Sequence, residues 1–304
     1  MNNLAIFVDE SSLFASPYLA EALNCNLYVI YPEYNDFFQG GREGIFWDDG
    51  RAIKEENIII VGYNALMVIS DKLKRFKTVA VILSDSWSCR YHEWINEFVK
   101  ANNLFVYAMP DKIPYFQFPV IPAFQTFNIK QTPSQQEGRI VIAHSPGSSS
   151  KMTYKGTALI ERTIKKLQLK YDIEFILILG MKMNECLKLK SRSHIFIDQV
   201  VYLNPEVSQD RFGGKIIYEG GIGKSGLEAM LLGSCVITGV RYQDTKPYIP
   251  YPPVVSTSGI DFYDDLEALI VDGSYRTHKA IEQKKWAEKY LSPEFVSKHL
   301  TQHL

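Results

Sequence analysis

The sequence predicts an α/β protein made of two doubly wound domains, each with a parallel sheet. In both halves of the chain, short apolar segments rich in Val and Ile alternate with amphipathic segments. The apolar segments are nearly continuous, which is typical of strands covered on both faces by crossover helices. A polar, proline-containing stretch separates the halves, and the length of 304 residues is sufficient for two domains.

The first half carries five predicted strands and three predicted helices. The strands span residues 4–8, 27–30, 58–61, 78–83 and 104–107, and the helices span 13–23, 65–76 and 91–101. Residues 117–138 then contain three prolines and the polar run QTPSQQEG, which is the composition of a linker. We therefore place an N-terminal domain at residues 1–132.

The alternation of strands and helices restarts after the linker. The predicted strands are 139–143, 174–179, 195–198, 235–238 and 254–256, and the predicted helices are 156–170, 183–189, 224–232, 266–289 and 293–303. The long helix at 266–289 has a potential break at Gly273. A second domain is expected at 133–280, followed by a C-terminal helical segment at 281–304.

Composition and charge exclude several classes of protein. The net charge is −1, with 11 basic and 15 acidic residues in positions 1–135 and 22 and 19 in the remainder, so no basic field would attract nucleic acid to the first half. The four cysteines lie far apart and suggest neither a zinc site nor a disulfide framework. Without a signal peptide or an apolar run of membrane-spanning length, we expect a cytoplasmic protein with no integral membrane segment.

The densest functional signal is the glycine-rich stretch YEGGIGKSGLEAMLLGSCVITG at residues 218–239. Glycines before a helix let backbone amides approach an anion, and the helix N-terminus adds partial positive charge there. Residues 221–226 match G-x-G-x-x-G but lie late in the domain and not after its first strand, so this match is weak. Residues 218–225 nearly match a phosphate-binding P-loop, but the required first glycine would fall at Tyr218, so this match is weak too. Glu228 lies one turn into the helix among apolar residues, where an unpaired carboxylate is costly.

Three elements of the second half resemble one known family. GLEAMLLGSCVI at 226–237 is similar to the EAMA-G-PVI signature of nucleotide-sugar glycosyltransferases of the GT-B type, mainly its retaining class. Upstream, the segment HSP at 144–146 and the segment KGT at 155–157 resemble the first loop and the helix start of that family, and IFIDQ at 195–199 resembles the strand before the ligand loop. The resemblance covers about residues 139–240 and implies two Rossmann-like domains with a ligand cleft and a hinge between them. It also implies that the C-terminal helices pack back on the N-terminal domain.

The resemblance implies roles for individual residues. Glu228 corresponds to the glutamate that binds the ribose hydroxyls of the donor, and Lys155 to the lysine that neutralises the donor diphosphate. The amides of Gly223, Lys224 and Ser225 correspond to the loop facing the phosphates. The alternatives are ordinary ones: Glu228 as a solvated helix residue, and Lys155 as an exposed lysine at a helix start.

The sequence also departs from the family pattern. The first glutamate of the usual acidic pair would fall at Gly220, so Glu219, our candidate for that role, is one residue out of register. The loop arginine of the family is missing, and Lys151 is the only cation near its place. Residues 200–215 form an insertion by comparison.

Two carboxylates of the first half are candidate catalytic bases. Asp9 follows the first predicted strand and Asp85 follows the fourth, and the carboxyl ends of parallel strands face the ligand crevice. A carboxylate there could activate an acceptor hydroxyl. Each aspartate could instead cap the next helix, and His92 is a third, weaker candidate.

The expected activity is therefore transfer of a sugar from a nucleotide-diphosphate donor, such as a UDP-sugar, to an acceptor hydroxyl. The acceptor could belong to a glycan, a small molecule or a nucleic-acid base. We expect no cofactor and no metal, because the resemblance implies metal-independent chemistry and the nucleotide sugar is a co-substrate. The alternatives are a GT-B-like epimerase or phosphorylase, a non-catalytic sugar- or nucleotide-binding module, and a viral-type DNA-base glycosyltransferase.

Overall fold

The structure is a computed structural model. It describes residues 3–8, 16–30, 45–47, 53–83, 91–109, 116–122, 127, 129, 131–135, 138–147, 152, 155–200, 222–239 and 249–302. The chain divides into two compact units. The first unit comprises Met1–Asn128, Gln243–Pro250 and Tyr290–Leu304, and the second unit comprises Ile129–Tyr242 and Tyr251–Lys289.

Twelve strands and nine α-helices occur among the described residues. The strands are β1 (Leu4–Val8), β2 (Asn26–Val29), β3 (Ile45–Phe46), β4 (Asn57–Val61), β5 (Thr78–Leu83), β6 (Phe105–Ala108), β7 (Ile121–Pro122), β8 (Ile140–Gly147), β9 (Ile173–Leu179), β10 (Ile195–Ile197), β11 (Cys235–Thr238) and β12 (Val255–Ser256). The helices are α1 (Ser16–Ala22), α2 (Tyr63–Ile69), α3 (His92–Asn102), α4 (Thr157–Leu167), α5 (Met183–Arg192), α6 (Lys224–Leu231), α7 (Phe262–Val271), α8 (Gly273–Tyr290) and α9 (Pro293–Thr301).

The first unit contains a parallel sheet in the order β3-β2-β1-β4-β5-β6-β7. Alternate residues of its central strands enter two separate apolar clusters. Phe7 and Ile60 belong to one cluster, whereas Ile6, Val8 and Ile59 belong to the other. Both faces of the sheet are therefore buried, which explains why its strands read as continuous apolar runs.

The last helix of the chain, α9, packs on one face of this first sheet. Val296 and Leu300 join the cluster that contains Ile6, and the Tyr107 hydroxyl on β6 donates to the Leu300 carbonyl at 2.7 Å. The start of α9 is defined locally: the Ser292 hydroxyl accepts from the Phe295 amide, and a proline follows at the first helical position.

The second unit contains a parallel sheet in the order β12-β11-β10-β8-β9. The order reverses between β8 and β10, because β9 continues on one side of β8 while β10 and β11 continue on the other. In an open α/β sheet, ligands bind outside the carboxyl ends of the strands at such a switch point. The fold alone therefore points to the residues that follow β8 and β10.

A buried glutamine completes the sheet of the second unit. The Gln283 side chain on α8 is fully buried, accepts from the Val236 amide at 2.6 Å, and donates to the Val236 carbonyl at 3.1 Å and to Pro253 at 3.3 Å. It thus takes the place of backbone partners for the central part of β11.

The predicted fold class, two parallel-sheet α/β domains, is confirmed, and three local details differ. The helix predicted at 65–76 is α2 followed by a 3-10 turn at Ser70–Arg75. The helix predicted from residue 266 begins earlier, at Phe262, and the break expected near Gly273 is present at Asp272. The Asp272 carboxylate accepts from the Tyr275 amide at 2.8 Å and so caps the start of α8. The two-residue strands β3 and β7 were not predicted, because so short an element leaves no pattern in the sequence.

Within the described part of the chain, no helix has both the length and the apolar character needed to span a membrane.

Candidate functional site

The residues after β10 meet the start of α6 at the switch point of the second sheet. Asp198 follows β10, is fully buried, and continues the strand ladder by donating its amide to the Ile237 carbonyl at 3.1 Å. One carboxylate oxygen of Asp198, Oδ2, accepts from the Gly223 amide at 2.6 Å. A carboxylate at a helix N-terminus is favoured by the partial positive charge there, so Asp198 fixes where α6 begins.

Two glycines allow this close approach. A Cβ at Gly223 would lie 2.6 Å from the Lys155 Nζ and 2.9 Å from the Asp198 Oδ1. A Cβ at Gly226 would lie 2.8 Å from an Ile222 side-chain carbon and 3.0 Å from the Asp198 Cγ. The glycines that resembled a phosphate-binding pattern in the sequence are therefore also required by the carboxylate that packs against them.

Lys155, which lies between β8 and α4, contacts the same carboxylate. Its Nζ lies 3.2 Å from the Asp198 Oδ1, and its side chain is 14% exposed. The backbone around it is fixed, because the Val200 amide donates to the Lys155 carbonyl at 3.1 Å and Gly156 adopts a φ of +71°. A Cβ at Gly156 would lie 2.0 Å from the Val200 carbonyl oxygen, so this turn requires glycine.

His144 connects β8 to the start of α4. Its Nδ1 lies 2.8 Å from the Ile197 carbonyl and its Nε2 lies 2.9 Å from the Thr157 hydroxyl. Burial lowers the pKa of His144 to about 4, so the ring is neutral at neutral pH. Because a carbonyl can only accept, Nδ1 carries the proton and Nε2 accepts from Thr157. His144 is thus a structural link in this arrangement.

Glu228 forms a second buried ion pair on the other side of α6. Its Oε2 lies 2.5 Å from the Nζ of Lys190 on α5, and both side chains are 3% exposed. Its Oε1 is buried and has no hydrogen-bond partner among the described residues. The Lys224 Nζ lies 3.9 Å from Oε1, which is beyond hydrogen-bond distance.

Lys224 occupies the first turn of α6 at the edge of this pair. Burial lowers the pKa of Lys224 to about 8, the Glu228 carboxylate opposes that shift, and the Lys190 ammonium adds to it. The side chain remains 28% exposed. Lys224 therefore adds a partly exposed basic group beside the Glu228 carboxylate.

Five of the nine candidate residues from the sequence lie in this arrangement, whereas His92 begins α3 in the first unit. Gly223, Lys224, Ser225 and Glu228 share the first two turns at the start of α6, and Lys155 meets Gly223 through Asp198. Asp9, Asp85 and Glu219 lie outside the described residues. The described strands that precede the two aspartates in sequence end at Val8 and Leu83. The proposed binding and catalytic roles stay predictions.

Sequence reasoning missed two members of the arrangement, Asp198 and Lys190. Asp198 could have been found, because it directly follows a buried apolar strand, as do the carboxylates that were singled out in the first half. Lys190 could not, because it lies in the polar segment KLKSR and nothing there indicates burial. No group of three or more potential metal-ligating side chains occurs in the described part of the chain.

Solved structures with the same architecture cover the whole chain. Sucrose-phosphate synthase from Thermosynechococcus elongatus is 13% identical with a TM-score of 0.62, covering 100% of this chain and 98% of that one. Anabaena HepE in complex with UDP and glucose is 10% identical with a TM-score of 0.65, covering 99% and 98%. An α-glucosyltransferase in complex with UDP and a 13-mer DNA containing an HMU base is 11% identical with a TM-score of 0.60, covering 99% of each chain.

These likenesses establish the fold. The chain has the α/β fold of GT-B glycosyltransferases, with two Rossmann-like parallel-sheet units, as the sequence resemblance predicted. No protein-family profile matches the sequence, and a comparison with curated protein sequences gives no match. The fold and the geometry around α6 are therefore the basis for assigning a function.

Proposed function

We propose that this chain is a glycosyltransferase that moves a sugar from a nucleotide-diphosphate donor, with UDP as the favoured nucleotide, to an acceptor hydroxyl. The observation that carries the proposal is the buried Glu228 carboxylate, whose Oε1 has no hydrogen-bond partner among the described residues. It lies one turn into a glycine-preceded helix at the switch point of the second sheet. Buried polar atoms normally have partners, so an unsatisfied one at a ligand-binding edge is explained by a ligand that donates to it.

The diphosphate would bind at the start of α6. Lys155 and Lys224 supply positive charge there, and first-turn amides of a helix have no partner within the helix. The Gly223 amide donates to Asp198. We expect the phosphate oxygens to bind at the backbone of Lys224 and Ser225, where the partial positive charge of the helix start is greatest. Glu228 would then accept from a ribose hydroxyl of the same nucleotide.

The chemistry requires charge stabilisation on the leaving group. When the bond between the anomeric carbon and the phosphate oxygen breaks, negative charge develops on the nucleoside diphosphate. Lys155, Lys224 and the helix-start amides are preorganised to stabilise that charge, which is an electrostatic contribution to catalysis. We expect no metal to be needed, since these groups supply the compensating charge.

The acceptor side of the proposal rests on the first unit. Asp9 or Asp85 would take the proton of the attacking hydroxyl, and Glu219 is retained as a candidate for contact with the donor sugar. UDP bound to HepE and to the α-glucosyltransferase in complex with DNA supports the choice of UDP. The acidic excess of residues 1–135 favours a glycan or small-molecule acceptor over DNA.

Calorimetry with UDP, GDP and ADP tests the donor site. We expect one of them to bind with measurable heat, and we expect binding to persist in EDTA. Lys155→Met should weaken it, whereas Lys165→Met, an exposed lysine on α4, should not. Absence of binding by all three nucleotides to folded protein would remove the proposal.

Measurements of sugar transfer distinguish activation of the acceptor from binding of the donor. Asp9→Asn and Asp85→Asn should impair sugar transfer and leave nucleotide affinity nearly unchanged, because these side chains are assigned to the acceptor. Loss of nucleotide affinity in either variant would contradict that assignment. Release of free sugar or an altered donor, with no acceptor needed, would instead favour a hydrolase or epimerase of the same fold.

A further inference from the structure

In the buried pair of Lys190 and Glu228, the two oxygens of the carboxylate have different surroundings. Lys190 Nζ lies 2.5 Å from Oε2, and both side chains are 3% exposed. Oε1 is buried and lacks a hydrogen-bond partner among the described residues. A carboxylate left alone in such a setting would be costly and could rotate, so the lysine both pairs with the carboxylate and fixes which oxygen remains for a ligand.

Lys190 itself is held by several contacts at the end of α5. Its carbonyl accepts from the Ser193 hydroxyl at 2.7 Å, from the Ser193 amide at 3.0 Å, and from the Ser234 hydroxyl at 3.3 Å. Ser234 immediately precedes β11, so these serines attach the end of α5 to the segment that follows α6. The Nζ also lies 5.6 Å from the centre of the Phe196 ring on β10. The serines thus fix the backbone of Lys190, while the Phe196 ring and the Glu228 carboxylate lie beside its ammonium.

We infer that Lys190 is a positioning residue for nucleotide recognition, which holds Glu228 so that Oε1 alone accepts a ribose hydroxyl. The inference rests on the proposed nucleotide site, to which it adds Lys190 and a preference for ribonucleotides over deoxynucleotides. A ribonucleotide satisfies Oε1, whereas a nucleotide lacking that hydroxyl leaves the buried oxygen unsatisfied. The site therefore selects ribonucleotides over one of the two deoxy analogues through a lysine that touches no ligand.

The test measures the affinities of UDP, 2′-deoxy-UDP and 3′-deoxy-UDP by calorimetry. For the protein without substitutions, we expect UDP to bind at least about tenfold more tightly than one of the analogues. This is the factor in affinity that corresponds to one hydrogen bond to a charged group. Lys190→Met should reduce that ratio to below about threefold. The matched control is Lys188→Met, an exposed lysine two positions earlier on α5, which should keep the ratio.

A second variant covers the case in which Lys190→Met does not fold. Lys190→Arg keeps the charge, but the guanidinium fork can donate to both oxygens of the carboxylate and so engage Oε1. The arginine variant should fold and should lose the preference for the ribonucleotide. In the Glu228→Gln background, Lys190→Met should cause no further change in the ratio, because Lys190 acts only through Glu228.

The outcomes are distinct. An unchanged ratio in folded Lys190→Met or in Lys190→Arg overturns the inference, as does an equal loss of affinity for all three nucleotides, which is the signature of a purely structural role. Binding of UDP without preference over either analogue overturns the inference and leaves the donor site intact. Failure of UDP, GDP and ADP to bind the folded wild-type protein overturns the proposed function and the inference with it.

Discussion

Two buried carboxylates form ion pairs beside the same helix, and they differ in how many of their oxygens have hydrogen-bond partners. In the pair of Asp198 with Lys155, one oxygen contacts the ammonium and the other accepts from the Gly223 amide. In the pair of Glu228 with Lys190, one oxygen contacts the ammonium and the other has no hydrogen-bond partner among the described residues, with the Lys224 Nζ 3.9 Å away. Both oxygens of the Asp198 carboxylate therefore have partners in the protein, whereas one oxygen of the Glu228 carboxylate has no hydrogen-bond partner among the described residues.

This difference assigns different tasks to the two acids. Asp198 holds a strand end, a lysine and a helix start together, so it builds the site, and both of its buried oxygens already have partners in the protein. Glu228 is held rigidly from one side and presents the other side, which suits recognition. Substitutions should therefore separate the pairs: changes at Asp198 act mainly on stability, and changes at Glu228 act on binding even when stability is restored.

Asp198→Ala should have the largest effect on stability. It leaves Lys155 without its carboxylate and the Gly223 amide without its acceptor, and breaking a buried pair from one side costs about 3–5 kcal/mol. Urea unfolding followed by circular dichroism measures the loss in free energy of unfolding. Asp172→Ala is the control, because its pair with Arg139 is exposed and should contribute little. A loss no greater than that of the control would show that Asp198 does not hold the site together.

Glu228→Gln should weaken nucleotide affinity by about 1–3 kcal/mol, the cost of losing a hydrogen bond to a charged group. The variant also leaves Lys190 as a buried charge, so some stability is lost as well. The double variant Lys190→Met/Glu228→Gln removes both charges and should recover stability without recovering affinity. Glu288→Gln, in a largely exposed pair on α8, is the matched control. Recovery of affinity together with stability would mean that Glu228 has no direct contact with the ligand.

The sequence predicted the fold better than it predicted the site. Apolar periodicity identified the long strands and the helices, and the glycine-rich segment before α6 was found because glycine has a specific backbone use. The contact of Asp198 with Gly223 and Gly226 was missed, since residues 198 and 223 are separated by a segment whose path the sequence does not specify. The partner of Glu228 was missed for a different reason: whether a lysine in a polar helix is buried depends on which face packs, and tertiary contacts decide that.

Gly226→Ala tests whether the packing of Asp198 against α6 determines binding. The added Cβ would lie 3.0 Å from the Asp198 Cγ, so the carboxylate or the helix must shift, which costs about 1–3 kcal/mol. Nucleotide affinity should fall with stability, because the helix start moves relative to Lys155. Gly273→Ala, where the nearest atom is a flexible arginine end at 3.4 Å, should be neutral or stabilising. Equal behaviour of the two alanine variants would contradict the role of Asp198 in setting the helix start.

The smallest expected effect is the change of nucleotide affinity with pH. This change measures the protonation of Lys224, which faces Glu228 and Lys190. Burial lowers the pKa of Lys224 from 10.5 to about 8, and a bound diphosphate would favour its charged form. Binding would then take up a proton above pH 8, so affinity should fall by at most about tenfold per pH unit there. The stability of the nucleotide-free protein should change with pH in the opposite direction to the affinity. The unfolded chain keeps the Lys224 proton up to a pH near 10.5, whereas the folded chain loses it near pH 8, so Lys224 makes the free energy of unfolding rise between pH 8 and 10.5. Calorimetry from pH 7 to 9 measures the first effect, and Lys224→Met should bind more weakly at pH 7 and lose the slope. A wild-type affinity that stays constant to pH 9 would show that the Lys224 ammonium does not contact the phosphates.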